Sequence, residues 1–367
     1  MTVPPVASPL SSRHALLGAR LGTLGETTVV RGYPEGRAAE VHAVREAVGV
    51  LDLSHLGAFE VSGPDRNAFV NRVACNDVAA LAPDQLHFSA LLTERGTFLD
   101  EITVLRFAER LLLIVNAENT ARAWDHIVEQ KRGANIRLRD ISIETGQLTV
   151  EGPGAEALLQ PLADRALSAL PFRGIARARI AGCDVFCARQ SYSGEDGIEL
   201  LCRERDLGSL WDAIVDAGAR PFGLDARELL RLEMGYVAWG AELDETVMPA
   251  EAGLAWIAPT NKGAPFVGAR AVRAAAARGP IRRLAGLRPE VAELPLAAGD
   301  EIHARGRLVG RICSTDMSQY AGGTIATAYL TPGLEVPGTP LMVHRGAVQV
   351  SAMTVGRPFI GARSRRG

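Results

Sequence analysis

Two short stretches of the chain repeat one pattern of apolar and polar positions. "VSGPDRNAFV" at 61–70 and "VEGPGAEALL" at 150–159 each leave an apolar run through a Gly-Pro turn, then enter a segment that starts polar and turns apolar. Gly and Pro punctuate regular structure most strongly, so each stretch reads as strand, turn, helix. β-rich runs follow in both halves: "FLDEITVLRF" and "LLLIVNA" after the first, "VFCARQSY" and "GIELLCR" after the second. The pattern predicts two related α+β halves, each an antiparallel sheet with helices on one face. Composition shifts at 260–282, where "APTNKGAPFVGARAVRAAAARGP" holds a Pro/Gly loop, a basic Ala-rich helix and a break. The short β-like runs beyond it, separated by Gly, Pro and Asp, predict a small all-β domain, a barrel or a sandwich.

Three places in this pattern carry candidate chemistry. Side chains of a strand alternate between faces, so in "FLDEITVLRF" Phe98, Asp100, Ile102 and Val104 share one side, and Leu99, Glu101, Thr103 and Leu105 the other. An unpaired carboxylate on the apolar side is costly, so Asp100 either pairs inside the protein or stands at the wall of a pocket. In "RQSYSGEDGIELLCR" a tight turn presents Glu195 and Asp196 between Gly194 and Gly197. These acids are solvated hairpin residues, or a carboxylate placed to accept paired N–H donors from a planar heterocycle. In "GLDARELLRLEMG", Asp225 and Glu228 have capping-box spacing, which predicts a helix from Ala226 that stops at Gly235. Arg227 falls in its first turn, where the helix dipole disfavours a cation, and Arg231 lies one turn on. A protein carboxylate or an anionic ligand must compensate.

The bulk properties exclude more than they select. A chain of 367 residues is long enough for two or three domains, and a net charge of −2 leaves no basic footprint for nucleic acid. No apolar run reaches membrane-spanning length, so no membrane partner is expected. "MTVPPVASPLSS" lacks the basic start and apolar core of a signal peptide and reads as a mobile tail. Five cysteines without a Cys-x-x-Cys pair suggest reduced thiols and a cytoplasmic location. Cys183 and Cys187 share a strand face, but no nearby His completes a ligand set, so no metal is expected. "VEGPG" lacks the third glycine and the ribose-binding acid of a dinucleotide fingerprint.

Taken in order, "VREAVGVLDLSHLGAFEVSGPD", "ERGTFLDEITVLRF", "VNAEN", "YSGEDGIEL", "GLDARELLRLEMG", "MPAEAGLAW", "KGAPFVGARA" and "VGRICS" resemble the glycine-cleavage T-protein (aminomethyltransferase) and folate-dependent demethylase superfamily along nearly the whole chain. The resemblance implies an α+β, three-domain ring. Two ferredoxin-like α+β domains would be joined by a C-terminal β-barrel domain, with tetrahydrofolate in the central hole. The divisions expected are 1–50 with 140–260, 51–139, and 283–367. The resemblance also implies residue roles: Asp100 as the catalytic residue beside the reactive nitrogens of the pterin, assisting proton movement or orienting the one-carbon donor, Glu195 on the amino-pyrimidine edge, and Arg227 at the anionic glutamyl tail. Asn116, Ile102, Ile114 and Leu56 would line the pocket, and Tyr192 and Trp256 would supply aromatic wall.

The departures cluster on what would be the donor side. "LGTLGETTVVRGYPEGR" stands where an "FGGWEMPVQY"-like segment is usual, "SHL" replaces "SHM" at Ser54 to Leu56, and Phe88 stands where an aromatic hydroxyl is expected. The reading they favour is a tetrahydrofolate-dependent one-carbon transferase whose donor or acceptor is a small N-, S- or O-methylated molecule. The first alternative is a glycine-cleavage aminomethyltransferase served by a lipoylated carrier protein. The second is a non-catalytic folate-binding protein, although "NKGAPFVGARA" lacks the cysteine of the signature such proteins carry.

Overall fold

The computed structural model describes residues 7–346 and 348–364. A six-stranded sheet runs in the order Ile175–Ile180, Cys183–Ala188, Gly197–Arg203, Thr145–Glu151, Gly49–Asp52 and Arg220–Pro221, antiparallel except at its last pair. A five-stranded antiparallel sheet runs Gln85–Leu92, Phe98–Arg106, Arg110–Val115, Gly57–Ser62 and Arg137–Asp140. The division drawn at residue 50 passes through the strand Gly49–Asp52. Both Gly-Pro turns follow the pattern read from sequence. Gly63 (φ 104°) leads to helix Arg66–Val73, and Gly152 (φ 134°) leads to Ala155–Leu159. A Cβ at either glycine would meet a backbone oxygen, 2.7 Å from Asn135 and 2.4 Å from Ala47 respectively, so only glycine fits.

Alternation along the strands decides which face of each sheet is which. In the larger sheet Leu148, Val150, Ile198 and Leu200 pack on Leu207, Leu210, Trp211 and Ile214, which recur at helical spacing along Glu204–Asp216. In the smaller sheet Ile102, Val104, Leu111 and Leu113 pack on Phe69, Val70 and Val73 of Arg66–Val73 and on Ala123 and Ile127 of Thr120–Glu129. The helices thus cover the outer faces. The inner faces meet over a second apolar cluster of Leu105, Phe107 and Leu112 from one sheet with Ile175, Ala188 and Leu201 from the other. Glu101 shares a strand face with Leu105, and Glu199 shares one with Leu201. Both therefore belong to the inner, facing sides.

Beyond helix Ala269–Arg278, six strands close into a barrel. The barrel is packed around Leu287, Ile302, Ile312, Ala326, Val343 and Val350. After the last strand, Val348–Val355, the chain turns back to the first part of the molecule. Arg363 and Ser364 donate their backbone N–H groups to the Gly194 carbonyl at 2.8 Å each. The fold is thus an α+β assembly ending in a closed barrel.

Two local expectations need correction. The helix expected from Ala226 spans Leu224–Glu233, with Gly223 at its N-terminal boundary. Asp225 caps nothing; it pairs with Arg20 and Arg31, while Gly235 (φ 63°) ends the helix as expected. The first six residues of the expected mobile tail lie outside the described residues, but the rest is anchored. Leu10 is buried, Ser11–Leu16 is helical, and Ser8 donates to Asp52. Among the described residues no helix is long and apolar enough to cross a membrane, and no group of three metal-ligating side chains occurs.

Candidate functional site

Where the facing sheets part, a cavity of about 550 Å³ opens. Glu101, Thr103 and Asn116 come from the smaller sheet and its edge, Gln190, Tyr192 and Glu199 from the larger. Arg227 enters from helix Leu224–Glu233, while Arg357 and Pro358 come from the segment after the barrel. Phe88, Phe172 and the half-exposed Trp256 add aromatic wall.

Asp100 is not in this wall. It is fully buried on the outer, helix-facing side of its strand, as alternation predicts. Its carboxylate accepts from the Asn116 backbone N–H (2.9 Å), the Asn116 side chain (2.8 Å) and the Asn119 side chain (2.8 Å). Burial pushes Asp100 up to about 6, and those hydrogen bonds oppose the rise. These bonds tie the loop after strand Arg110–Val115 to Asp100, the expected catalytic carboxylate. Its neighbour Glu101 lines the cavity instead, and its Oε2 is buried without a hydrogen-bond partner among the described residues. Burial, reinforced by the Asp100 charge and opposed by Arg227 and Arg231, pushes Glu101 up to about 8.

Glu195 needs the same correction. It is 1% exposed and lies outside the cavity wall. Its Oε1 accepts from Arg45 (2.7 Å) and from both Nε and Nη2 of Arg363 (3.1 and 2.9 Å). Arg45 in turn reaches Glu233 and the Ser193 carbonyl. The side chain expected to grip a ligand is tied through Oε1 to an internal ion-pair cluster, and its Oε2 is buried without a hydrogen-bond partner among the described residues. Four residues on, Glu199 lines the cavity and accepts from Gln190 Nε2 at 2.6 Å. Burial pushes Glu199 up to about 7; the Gln190 hydrogen bond and Arg227 oppose the rise, and Glu151 adds to it.

The other expected residues converge. Arg227, Asn116, Ile102, Ile114, Tyr192, Trp256 and Leu56 all line the cavity. Among the described residues no carboxylate stands within ion-pair distance of Arg227, whose guanidinium lies 4.2 Å from the Tyr192 ring centroid. Arg231, one turn on, takes the internal option, pairing with Glu228 (2.9 Å) and the buried Glu242 (2.8 Å). A signal for the missed residues existed. Glu101 and Glu199 are charged positions inside apolar strands ("LDEITV", "GIELL"), and alternation sends both away from the helix-covered core.

Comparison with known proteins places these features in a family. Residues 10–262 match the GCVT N-terminal domain, and residues 282–360 match the glycine cleavage T-protein C-terminal barrel domain. The chain belongs to the glycine-cleavage T-protein family. An aminomethyltransferase of Herpetosiphon aurantiacus is 32% identical over 98% of this chain and 99% of its own length. One from Thermus thermophilus is 38% identical over 90% of this chain and 93% of its own. The crystal structure of the glycine cleavage system aminomethyltransferase T from Bartonella henselae superposes with a TM-score of 0.91 at 27% identity, covering 97% of this chain and 98% of that one.

Proposed function

We propose that this chain transfers a one-carbon unit to tetrahydrofolate in the cavity described above, and that the unit arrives as an aminomethyl group on a lipoylated carrier protein. The observation that carries the proposal is a pair of carboxyls, Glu101 with one oxygen unpartnered and Glu199 with one amide donor, set in one cavity with Arg227. Its volume lies within the range of small-molecule sites, about 300–1,000 Å³. The lining matches the ligand in kind: carboxylates for the N–H edge of a pterin, aromatic wall for its rings, and guanidinium for its carboxylate tail. The full-length likeness to aminomethyltransferases supports the carrier-bound donor over a small methylated molecule.

Bound tetrahydrofolate supplies the nucleophilic nitrogen that takes the carbon. Glu101 holds a proton at neutral pH, because its pKa near 8 keeps it neutral, and it can pass that proton to a departing amine. Glu199, nearer 7, is poised to accept N–H donors as a carboxylate. Arg227, backed by the Tyr192 ring, offers its fork to an anionic group.

One observation favours a second reading, transfer from a small N-, S- or O-methylated donor. Phe88 lies in the cavity wall where a hydroxyl was expected, so that wall offers apolar contact in place of a hydrogen bond. Two measurements decide. Calorimetric titration with tetrahydrofolate, oxygen excluded, should show saturable micromolar binding; no binding would overturn both readings. Transfer should then proceed with aminomethylated lipoyl carrier. Turnover only with methylated amines, thioethers or aryl ethers would establish the second reading.

A further inference from the structure

We infer that Gln190 is a positioning residue for Glu199, its carboxamide holding that carboxylate in the orientation that receives the N–H edge of a planar ligand. The inference rests on the folate reading above. Gln190 follows the strand Cys183–Ala188, lines the cavity, and donates Nε2 to Glu199 Oε2 at 2.6 Å. It is the one side chain that hydrogen-bonds Glu199 among the described residues. An ionised carboxylate can only accept, so the amide must face it with its N–H.

Geometry explains why an amide suits this place. A glutamate left to itself samples several rotamers, and ordering it on binding costs affinity. Gln190 settles that orientation beforehand and consumes a single lone pair, leaving the remaining acceptor sites for a ligand. An arginine would do otherwise: at Glu195, Arg45 and Arg363 together claim one carboxylate oxygen with three donors.

The arrangement also sets a pH dependence. Glu199 faces Glu151 from the neighbouring strand, which raises its pKa, and Arg227 from the helix, which lowers it; Glu101 and Tyr192 share the cavity. The Gln190 hydrogen bond favours the ionised form. Removing it moves the pKa of Glu199 upward, so the pH at which ligand affinity develops moves up with it.

The test is anaerobic calorimetric titration with tetrahydrofolate of wild type, Gln190→Ala and Gln190→Glu, from about pH 6 to about pH 9. Wild-type affinity should rise through neutral pH. Gln190→Ala should shift that midpoint up by about one unit, binding about twentyfold more weakly near pH 6, where the shift accounts for about tenfold, and about twofold near pH 9, where only the lost orientation remains. Gln190→Glu, which adds a second acid, should shift the midpoint at least as far. Loss of fold alone would lower the binding stoichiometry at every pH without moving the midpoint. A wild type that binds while Gln190→Ala keeps its midpoint and affinity overturns this inference alone. A wild type that binds no tetrahydrofolate overturns the folate reading and this inference with it.

Discussion

The cavity wall and the packed interior directly behind it each hold a carboxylate from the same two stretches of chain, and the two sets meet opposite fates. Behind the wall, Asp100 accepts three hydrogen bonds from two asparagines, and Glu195 accepts three from two arginines. In the wall, Glu101 keeps one oxygen without a partner and Glu199 has one neutral amide. Asp100 spends both oxygens on one loop, and Glu195 spends Oε1 on two arginine side chains, its Oε2 being buried without a partner among the described residues. A wall carboxylate left short of partners keeps its proton affinity adjustable and its acceptors free for a ligand. Position in the chain differs by one residue in the first pair and four in the second. What separates the roles is which face of the strand, or which end of the turn, each occupies.

The sharpest way to break this contrast is to neutralise the wall. Glu101→Gln should lower one-carbon transfer about 10²- to 10⁴-fold in single-turnover assays while leaving tetrahydrofolate affinity within about threefold. A variant with near wild-type turnover would remove Glu101 from the chemistry. Glu199→Gln should weaken tetrahydrofolate binding about 10- to 100-fold, because an amide meets the ligand's N–H edge with a donor where an acceptor is needed. Glu195→Gln should behave in the opposite sense, losing about 3 kcal/mol of stability as Arg45 forfeits a buried partner, with affinity in the folded fraction nearly unchanged. Should Glu195→Gln cost more affinity than Glu199→Gln, the division between wall and interior collapses.

Smaller effects sharpen the same line. Asp100→Ala strands the donors of Asn116 and Asn119 and should cost about 2–3 kcal/mol, read from denaturant midpoints. The pH dependence of stability separates Glu101 from a bonded acid. Its pKa is raised on folding, so its contribution is fully present below the unfolded value of about 4.5 and is lost as pH rises through about 8. Glu101→Gln abolishes that loss. It should come within about 1 kcal/mol of wild type near pH 5 and exceed it near pH 9 by on the order of 4 kcal/mol. Parallel stability curves for the two proteins would show that Glu101 is not held neutral by burial.

Much of the fold was legible because it rests on local signals. The two Gly-Pro turns, the strand alternation and the break before the barrel each need only a few neighbouring residues to be read. The convergence of Arg227, Asn116 and Tyr192 followed from family resemblance. The misplaced acids show where such reading stops. Asp100 and Glu101 are adjacent, and the alternation that put Asp100 on the apolar face was correct. What could not be seen was that two asparagines 16 and 19 residues on would satisfy it there. Likewise Glu195 reads as an exposed turn acid until Arg45 and Arg363 arrive from 150 and 168 residues away. Helix Leu224–Glu233 began early because Asp225 found Arg20 and Arg31 instead of its own backbone.

The segment after the barrel has a consequence for biosynthesis. Arg357 and Pro358 complete the cavity wall, and Arg363 fastens their segment to Gly194 and Glu195. Every other wall residue precedes them in the chain. During vectorial synthesis both sheets can form around an unfinished cavity, whose wall is complete only once these residues have left the ribosome. Completion of this wall would therefore report that the barrel and the segment after it have folded onto the two sheets.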